Sequence, residues 1–296
     1  MDASIAMTTK VFLSTQPEPL DPHEAKISVF DRGFLYGDSV YETMRTAGGR
    51  PLELSRHLQR LRRSGDGIGL AIPFSDQMLS ESIARTHEAS GNTESYVRMM
   101  VTRGSGPVAL DPRVSEDPLL VILVKPLELP KDDAYEKGLS AVIVGITKNA
   151  GTSLDPTIKS GNYLTNILAL RQAFARGGDD AIMCNPEGAV SEGATSNVFI
   201  VREGKLQTPH LRTGLLPGIT RQVVCELAST TGAPVEETTL MPDDLRAADE
   251  VFLTSSVRGI MPVTTLDGTK VGDGTAGPMT RRLHVAYTEY VANAAG

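Results

Sequence analysis

Two apolar, strand-like runs, LLVILVK at 119–125 and SAVIVGI at 140–146, are separated by a segment with two prolines and a cluster of charges, KPLELPKDDAYEKG at 125–138. Proline lacks a backbone donor and restricts the residue before it, so neither a continuous strand nor a helix runs through such a stretch. The chain therefore reads as a small first domain over 1–125, a linker over 126–137 and a larger second domain over 138–296. At 296 residues each part is long enough to bury a core of its own.

In the first part, apolar runs at 9–13 and 26–30 read as strands, LSRHLQRLRRSGDGIGL at 54–70 as a basic helix, 75–90 as a second helix, and 96–103 and 119–125 as further strands. The second part opens with a strand at 140–146. A helix follows in NYLTNILALRQAFARGG, where Leu164, Ile167, Leu168 and Phe174 recur at helical spacing before a Gly177-Gly178 stop. Next come a strand at 180–184, a hairpin over 197–208 turning at Glu203 and Gly204, a helix over 219–232, a strand over 250–256 and an amphipathic helix over 276–294. Lys159 falls just before the first of these helices and Glu192 at the entrance to the hairpin. Helices and strands do not alternate regularly, which favours α+β over a doubly wound sheet.

A net charge of −7 argues against nucleic acid or an anionic membrane as partner, because both are held by a basic footprint. No run approaches bilayer length, and MDASIAMTTKVFLSTQ lacks the basic start and unbroken apolar core of a secretion signal, so a cytoplasmic protein is expected. Cys184 and Cys225 lie in apolar runs without a CxxC partner, which points to reduced thiols and no metal site.

Six segments occur in a fixed order: RGFLYGDSVYET at 32–43, HLQRL at 57–61, PTIKSGNYLTN at 156–166, EGATSNVF at 192–199, LPGITR at 216–221 and DEVFLTSS at 249–256. Together they resemble the signature of fold-type IV pyridoxal-phosphate (PLP) enzymes, the branched-chain and D-amino acid aminotransferase family. The resemblance spans nearly the whole chain. It implies a two-domain α+β fold, PLP as cofactor, amino acid or amine and keto acid as substrates, and a homodimer in which a loop of each subunit finishes the other's site.

A lysine that forms a Schiff base must present a neutral amine, and lysines shift readily when desolvated. Outside its motif Lys159 would read as a solvated surface residue. The resemblance makes it the Schiff-base lysine and the general base that shuttles the proton. Glu192, otherwise a loop carboxylate, then matches the acid paired with the pyridine nitrogen, with Asn197 supporting it. Tyr163 matches the tyrosine bonded to the cofactor's phenolic oxygen, its alternative being a packed helix-start aromatic. Arg60 matches the phosphate-binding arginine, whose fork suits phosphate oxygens, although Arg62 and Arg63 beside it suggest a solvated basic face. Gly218, Ile219 and Thr220 place backbone N–H groups and a hydroxyl at a helix N-terminus, a ready anion site, joined in the family by hydroxyls at Ser255 and Ser256 and by Leu216 on the ring face.

The substrate stays open at this level. Arg98 sits where the branched-chain enzymes carry an arginine, and Arg103 matches the carboxylate-trapping arginine of the D-amino acid branch; five residues apart on a strand, they face opposite sides unless a bulge intervenes. Tyr36 and Val40 match pocket-lining positions. A carboxylate held by backbone N–H groups near Ser256 and Val257 favours L-substrates, whereas one held by Arg103 favours D-substrates. VRGIMPV at 257–263 departs from both branches, with Gly259 where glutamate is common and Arg258 beside it. The expected function is transamination of branched-chain L-amino acids with a keto acid such as α-ketoglutarate. Alternatives are a D-amino acid or (R)-amine transaminase, an aminodeoxychorismate lyase, which TSSVRGIMPV resembles, and an inactive scaffold on the same fold.

Overall fold

The computed structural model describes residues 8–115, 117–149, 153–230 and 232–295. Residues 1–7, which open the N-terminal segment read above for a leader, lie outside them. The chain divides into two compact units: Met1–Glu128 with Ile158–Asn162 and Val291–Gly296, and Leu129–Thr157 with Tyr163–Tyr290. The first unit thus ends close to the expected linker, but it also takes back a five-residue segment around Lys159.

The first unit is built from β1 (Lys10–Leu13), α1 (Arg32–Tyr36), β2 (Ser39–Ala47), β3 (Arg50–Pro51), α2 (Leu54–Gly67), α3 (Asp76–Ser90), β4 (Ser95–Thr102) and β5 (Leu119–Pro126). Its sheet has the order β1-β5-β4-β2-β3 and is antiparallel throughout. Successive side chains alternate across a strand. Val97, Met99 and Val101 of β4 and Leu120, Ile122 and Val124 of β5 therefore share one fully buried face, packed with Leu58 and Leu61 of α2 and Leu79 and Ile83 of α3. Residues 26–30 form no strand: Val29 and Phe30 are 64% and 53% exposed, and without a face to bury against, the apolar run has nothing to pair for. Conversely, β2 is a nine-residue strand that apolar periodicity misses, because Glu42 and Arg45 interrupt it.

The second unit comprises α4 (Asp132–Lys137), β6 (Leu139–Ile143), α5 (Leu164–Ala175), β7 (Asp180–Cys184), β8 (Val190–Gly193), β9 (Asn197–Arg202), β10 (Lys205–Pro209), α6 (Ile219–Thr230), β11 (Val235–Thr238), α7 (Pro242–Arg246), β12 (Glu250–Ser255), β13 (Gly259–Leu266), β14 (Thr269–Lys270) and α8 (Pro278–Ala295), whose last residues count with the first unit. Its nine-stranded sheet runs β11-β10-β9-β12-β13-β6-β7-β8, with β14 on β13. Pairs β10–β11, β13–β6 and β6–β7 are parallel; the others are antiparallel. A helix, α4, stands inside the stretch expected to be linker.

The helical spacing in α5 is real, but the face it marks is turned outward. Leu164, Ile167 and Phe174 are 67%, 59% and 58% exposed, while Asn166, Ala169 and Ala173 are buried. Alanines let the helix approach Val142, Val144 and Met183 closely; Leu170 packs beside them, while Leu164, Ile167 and Phe174 are turned outward.

Candidate active site

In the first unit, the segment bearing Lys159 lies along β2. Tyr41 N–H donates to the Lys159 carbonyl (3.0 Å), Gly161 N–H donates to that of Ser39 (2.9 Å), and Val40 bridges Ser160. On its other side, Lys159 N–H donates to Ser64 Oγ of α2 (3.1 Å). The lysine's backbone is thus pinned to a strand and a helix, which fixes where the amine begins. Lys159 Nζ lies 3.4 Å from Tyr41 Oη and 4.5 Å from the Tyr41 ring centre. Arg98 Cζ stands 4.0 Å from the centre of the same buried ring. Tyr41 pairs with Met100 and Thr43 with Arg98, so Tyr41 and Arg98 are diagonal neighbours on one sheet face.

The next residue of β2, Glu42, points to the opposite, core face and is fully buried. Its carboxylate accepts from Arg60 Nε (2.8 Å) and Nη2 (2.7 Å), and His57 Nδ1 is 2.6 Å away. Burial alone would raise the Glu42 pKa, but the charge and paired bonds of Arg60, with His57, overturn this and hold it at about 2. An ionised carboxylate only accepts, so His57 must donate from Nδ1. Burial pushes the His57 pKa below its ordinary value, against the pull of Glu42. Arg60 is therefore not an open fork: its Nε–Nη2 edge belongs to Glu42.

The remaining first-unit candidates separate cleanly. Arg103 is buried with every nitrogen engaged, Nε on Asp38 (2.8 Å), Nη1 on the Gly69 carbonyl and Nη2 on the Ile68 carbonyl (2.9 Å each). Asp38 also accepts from Arg32 Nε (3.0 Å); the two arginines lower its pKa although burial opposes them. Arg103 is thus tied to Asp38 and to the carbonyls that follow α2. Val40 is fully buried in the apolar core. Tyr36 ends α1 half-buried, with Arg32 Cζ 5.2 Å from its ring centre. Among the described residues no carboxylate pairs with Arg98.

In the second unit, Glu192 lies on β8 and not at a hairpin entrance. Its Oε1 is 2.6 Å from Lys148 Nζ, and its Oε2 accepts from Leu216 N–H (2.8 Å). Asn197, at the head of β9, donates from Nδ2 to the Leu216 carbonyl (2.9 Å), and its Oδ1 sits so close to Gly218 that a Cβ there would collide with it. Glu192 and Asn197 thereby hold the loop that leads into α6. At the start of α6, the buried Ile219 and Thr220 present N–H groups for which the described residues offer no acceptor. Opposite Asn197 in the sheet, Thr254 Oγ1 is buried without a hydrogen-bond partner. In the turn after β12, the N–H groups of Ser256 and Val257 likewise find no acceptor among the described residues. Ser255 Oγ accepts from Arg258 N–H (3.4 Å), and the Arg258 guanidinium is bound to Asp180 (2.6 Å). Arg258 is therefore held by an almost fully buried carboxylate rather than offered to a ligand. Tyr163 stands half-buried at the head of α5, its carbonyl accepting from Ile167 N–H (3.0 Å).

Comparison with known proteins gives this arrangement its class. Residues 39–266 match the model of class IV amino-transferases. A putative branched-chain-amino-acid aminotransferase of Methanocaldococcus jannaschii is 36% identical over 89% of this chain and 91% of its own. A D-alanine aminotransferase of Staphylococcus haemolyticus is 32% identical over 96% of this chain and 98% of its own. Among solved structures, the branched-chain amino acid aminotransferase of Escherichia coli superposes with a TM-score of 0.90 at 28% identity, covering 96% of this chain and 95% of that one. A bacterial branched-chain amino acid aminotransferase complexed with N-(5'-phosphopyridoxyl)-L-glutamate superposes with a TM-score of 0.89, also at 28% identity, covering 96% of this chain and 94% of that one. The chain belongs to the class IV aminotransferase family and is a transaminase with the α+β architecture of fold type IV.

PLP is the cofactor of that family, and the residues present fit it. The unclaimed N–H groups of Ile219 and Thr220 and the Thr220 hydroxyl suit a phosphate. The orphaned Thr254 hydroxyl and the glycine at 218 leave polar, side-chain-free space in the same loop cluster. On the same unit the Glu192 carboxylate is of a kind that suits a cationic ring nitrogen, and on the first unit Lys159 carries a primary amine of the kind an aldehyde takes up. Tyr41, Glu42, His57 and Lys148 receive no role from sequence alone, although the first three lie within quoted motifs. Among the described residues no cluster of His, Cys, Asp or Glu is placed to hold a metal, and no helix is long and apolar enough to cross a membrane.

Proposed function

We propose that this transaminase acts on branched-chain L-amino acids and passes the amino group to a keto acid such as α-ketoglutarate. The observation that carries the choice is the fate of Arg103: its three guanidinium nitrogens are bound to Asp38, Ile68 and Gly69, which argues against its serving as a D-branch carboxylate trap. The N–H groups of Ser256 and Val257 support the L-branch alternative, since backbone amides without acceptors suit a carboxylate. The glutamate moiety bound to the structural relative above supports a dicarboxylic acceptor. The similarity to D-alanine aminotransferases supports a D-amino acid transaminase as second reading.

When bound, PLP supplies an aldehyde that takes up amines and a ring that draws electrons from the carbon being deprotonated. Lys159 Nζ is the base that moves the proton, and the Tyr41 hydroxyl restrains it within hydrogen-bond reach. Glu192 holds negative charge toward the pyridine nitrogen. Ile219, Thr220 and Ser256 bind the phosphate, with Arg60 contributing its positive charge. Leu216 and Tyr163 fix the ring, and Asn197 holds the loop that carries Leu216.

The same reading includes a homodimer in the cytoplasm. Its supports are the outward apolar face of α5 together with the exposed Val29, Phe30, Phe34 and Leu110, and two cysteines that remain free thiols. Light scattering at micromolar concentration should return twice the 31.6 kDa chain mass.

The functional test is a half-reaction. PLP-loaded protein is mixed, without keto acid, with L-leucine, D-alanine, (R)-α-methylbenzylamine or aminodeoxychorismate, and conversion to the pyridoxamine form is followed by absorbance. Fastest conversion by L-leucine is expected. Conversion by D-alanine but not L-leucine would install the second reading.

A further inference from the structure

Glu192 is not left to face a cofactor alone. Lys148 Nζ stands 2.6 Å from its Oε1, with side-chain exposures of 16% for the lysine and 9% for the glutamate. The lysine's own backbone is anchored, its N–H donating to the Cys184 carbonyl of β7 (2.9 Å), next to Met183, which pairs with Glu192 across β7–β8. Glu192 Oε2 is held separately by Leu216 N–H. The carboxylate is thus gripped at both oxygens, by a charge on one and an amide on the other.

We propose that Lys148 is a positioning residue for Glu192: together with the Leu216 amide it fixes both carboxylate oxygens, so that the negative charge is held in one place for a pyridinium nitrogen. The inference rests on the PLP reading above. The physical argument is desolvation. A nearly buried carboxylate whose cation is removed is left as an uncompensated charge, and its side chain is free to turn toward water and away from a ligand. Lys148 itself need not touch the cofactor. The Leu216 amide could orient Glu192 but carries no full charge, so it cannot replace the lysine in this role.

The test compares two ligands on the apo-protein: PLP, and its 1-deaza analogue, in which carbon replaces the ring nitrogen. Both retain the aldehyde and phosphate. We expect Lys148→Met to weaken PLP binding about tenfold or more, the scale of a lost charged hydrogen bond, while affinity for the deaza analogue stays within about twofold of wild type. Lys148→Arg should restore PLP affinity, and in a Glu192→Gln background Lys148→Met should have no further effect on it. Equal losses for both ligands, or no loss for either, would overturn the inference. If Lys148→Met does not fold, Lys148→Gln and Lys148→Arg carry the same comparison: PLP affinity that is equal in the two would overturn it. Failure of the wild-type protein to bind PLP would instead reject the underlying cofactor assignment.

Discussion

Both units pair their buried charges, but they differ in the uncharged groups they leave unmet. In the first, the buried ions neutralise each other: Glu42 is closed by Arg60 and His57, and Asp38 by Arg32 and Arg103. In the second, the start of α6 and the turn after β12 present N–H groups that no described acceptor satisfies, and Thr254 keeps a buried hydroxyl without a partner. Unmatched donors are costly where they are buried, and a helix start that leaves its first N–H groups without acceptors suits a ligand that supplies them. The difference teaches that charge alone does not mark a binding group. Arg60 and Arg103, the two most suggestive anion binders in the sequence, are partly or wholly consumed by structure, whereas uncharged amides remain available.

Removing the reacting amine is the strongest way to probe the first unit. Lys159→Ala should lower transaminase turnover by a factor of about 10⁴ or more, measured by coupled assay at saturating amino acid, with little change in folding. Turnover within tenfold of wild type would remove Lys159 from the chemistry. On the second unit, Glu192→Gln should reduce turnover about a hundredfold and also weaken PLP binding, the usual scale for a preorganised electrostatic partner.

The contrast predicts different stability effects as well. Glu42→Gln leaves the Arg60 guanidinium buried without its anion and should cost about 3 kcal/mol of apo-protein stability, seen as a drop in denaturant midpoint. The acid side sharpens this. Folded Glu42 stays ionised down to about 2, whereas the unfolded chain takes up that proton near its ordinary value of 4.5. Its stabilisation is therefore complete above about pH 4.5 and is lost as pH falls toward 2. His57 acts in the same direction, because below its ordinary value of 6.5 the unfolded chain binds a proton that the buried ring resists. Wild type should lose stability on acidification, and Glu42→Gln should flatten the portion below pH 4.5; an unchanged slope would contradict the closed Glu42–Arg60–His57 cluster.

Two smaller effects separate the halves further. Gly218→Ala forces a Cβ onto Asn197 Oδ1 and should weaken PLP binding about tenfold by shifting the loop before α6, at a stability cost of about 1–3 kcal/mol. Tyr41→Phe removes only the hydroxyl beside Lys159 Nζ and keeps the ring against Arg98. A loss of about three- to fivefold in turnover is expected, the scale of one modest hydrogen bond. A larger loss than for Glu192→Gln would reverse the ranking of the two halves.

Much of this is legible in the chain. The motifs around Lys159, Glu192 and Gly218 announce themselves because tight turns and a helix start need glycine and proline at set places. The strands of the first unit can be read wherever one face alternates apolar residues, as in β4 and β5. What escapes has definite causes. Glu42 and Arg45 break the alternation of β2, so the strand carrying Tyr41 is invisible until its partners β4 and the Lys159 segment are in place. Lys148 lies in an irregular segment with no periodicity to mark it; only its contact with Glu192 reveals it. The apolar stripe of α5 marks a helix but not the core, because spacing fixes a face and not which side of it faces inward.

The most direct test of the account is chemical trapping on the loaded protein. PLP-bound protein is reduced with borohydride, digested and mapped by mass spectrometry. A phosphopyridoxyl group on the peptide containing Lys159, absent after Lys159→Ala, is the predicted result. Label on another lysine, such as Lys148, or no label at all, would contradict the assignment of Lys159 as the residue that carries the cofactor.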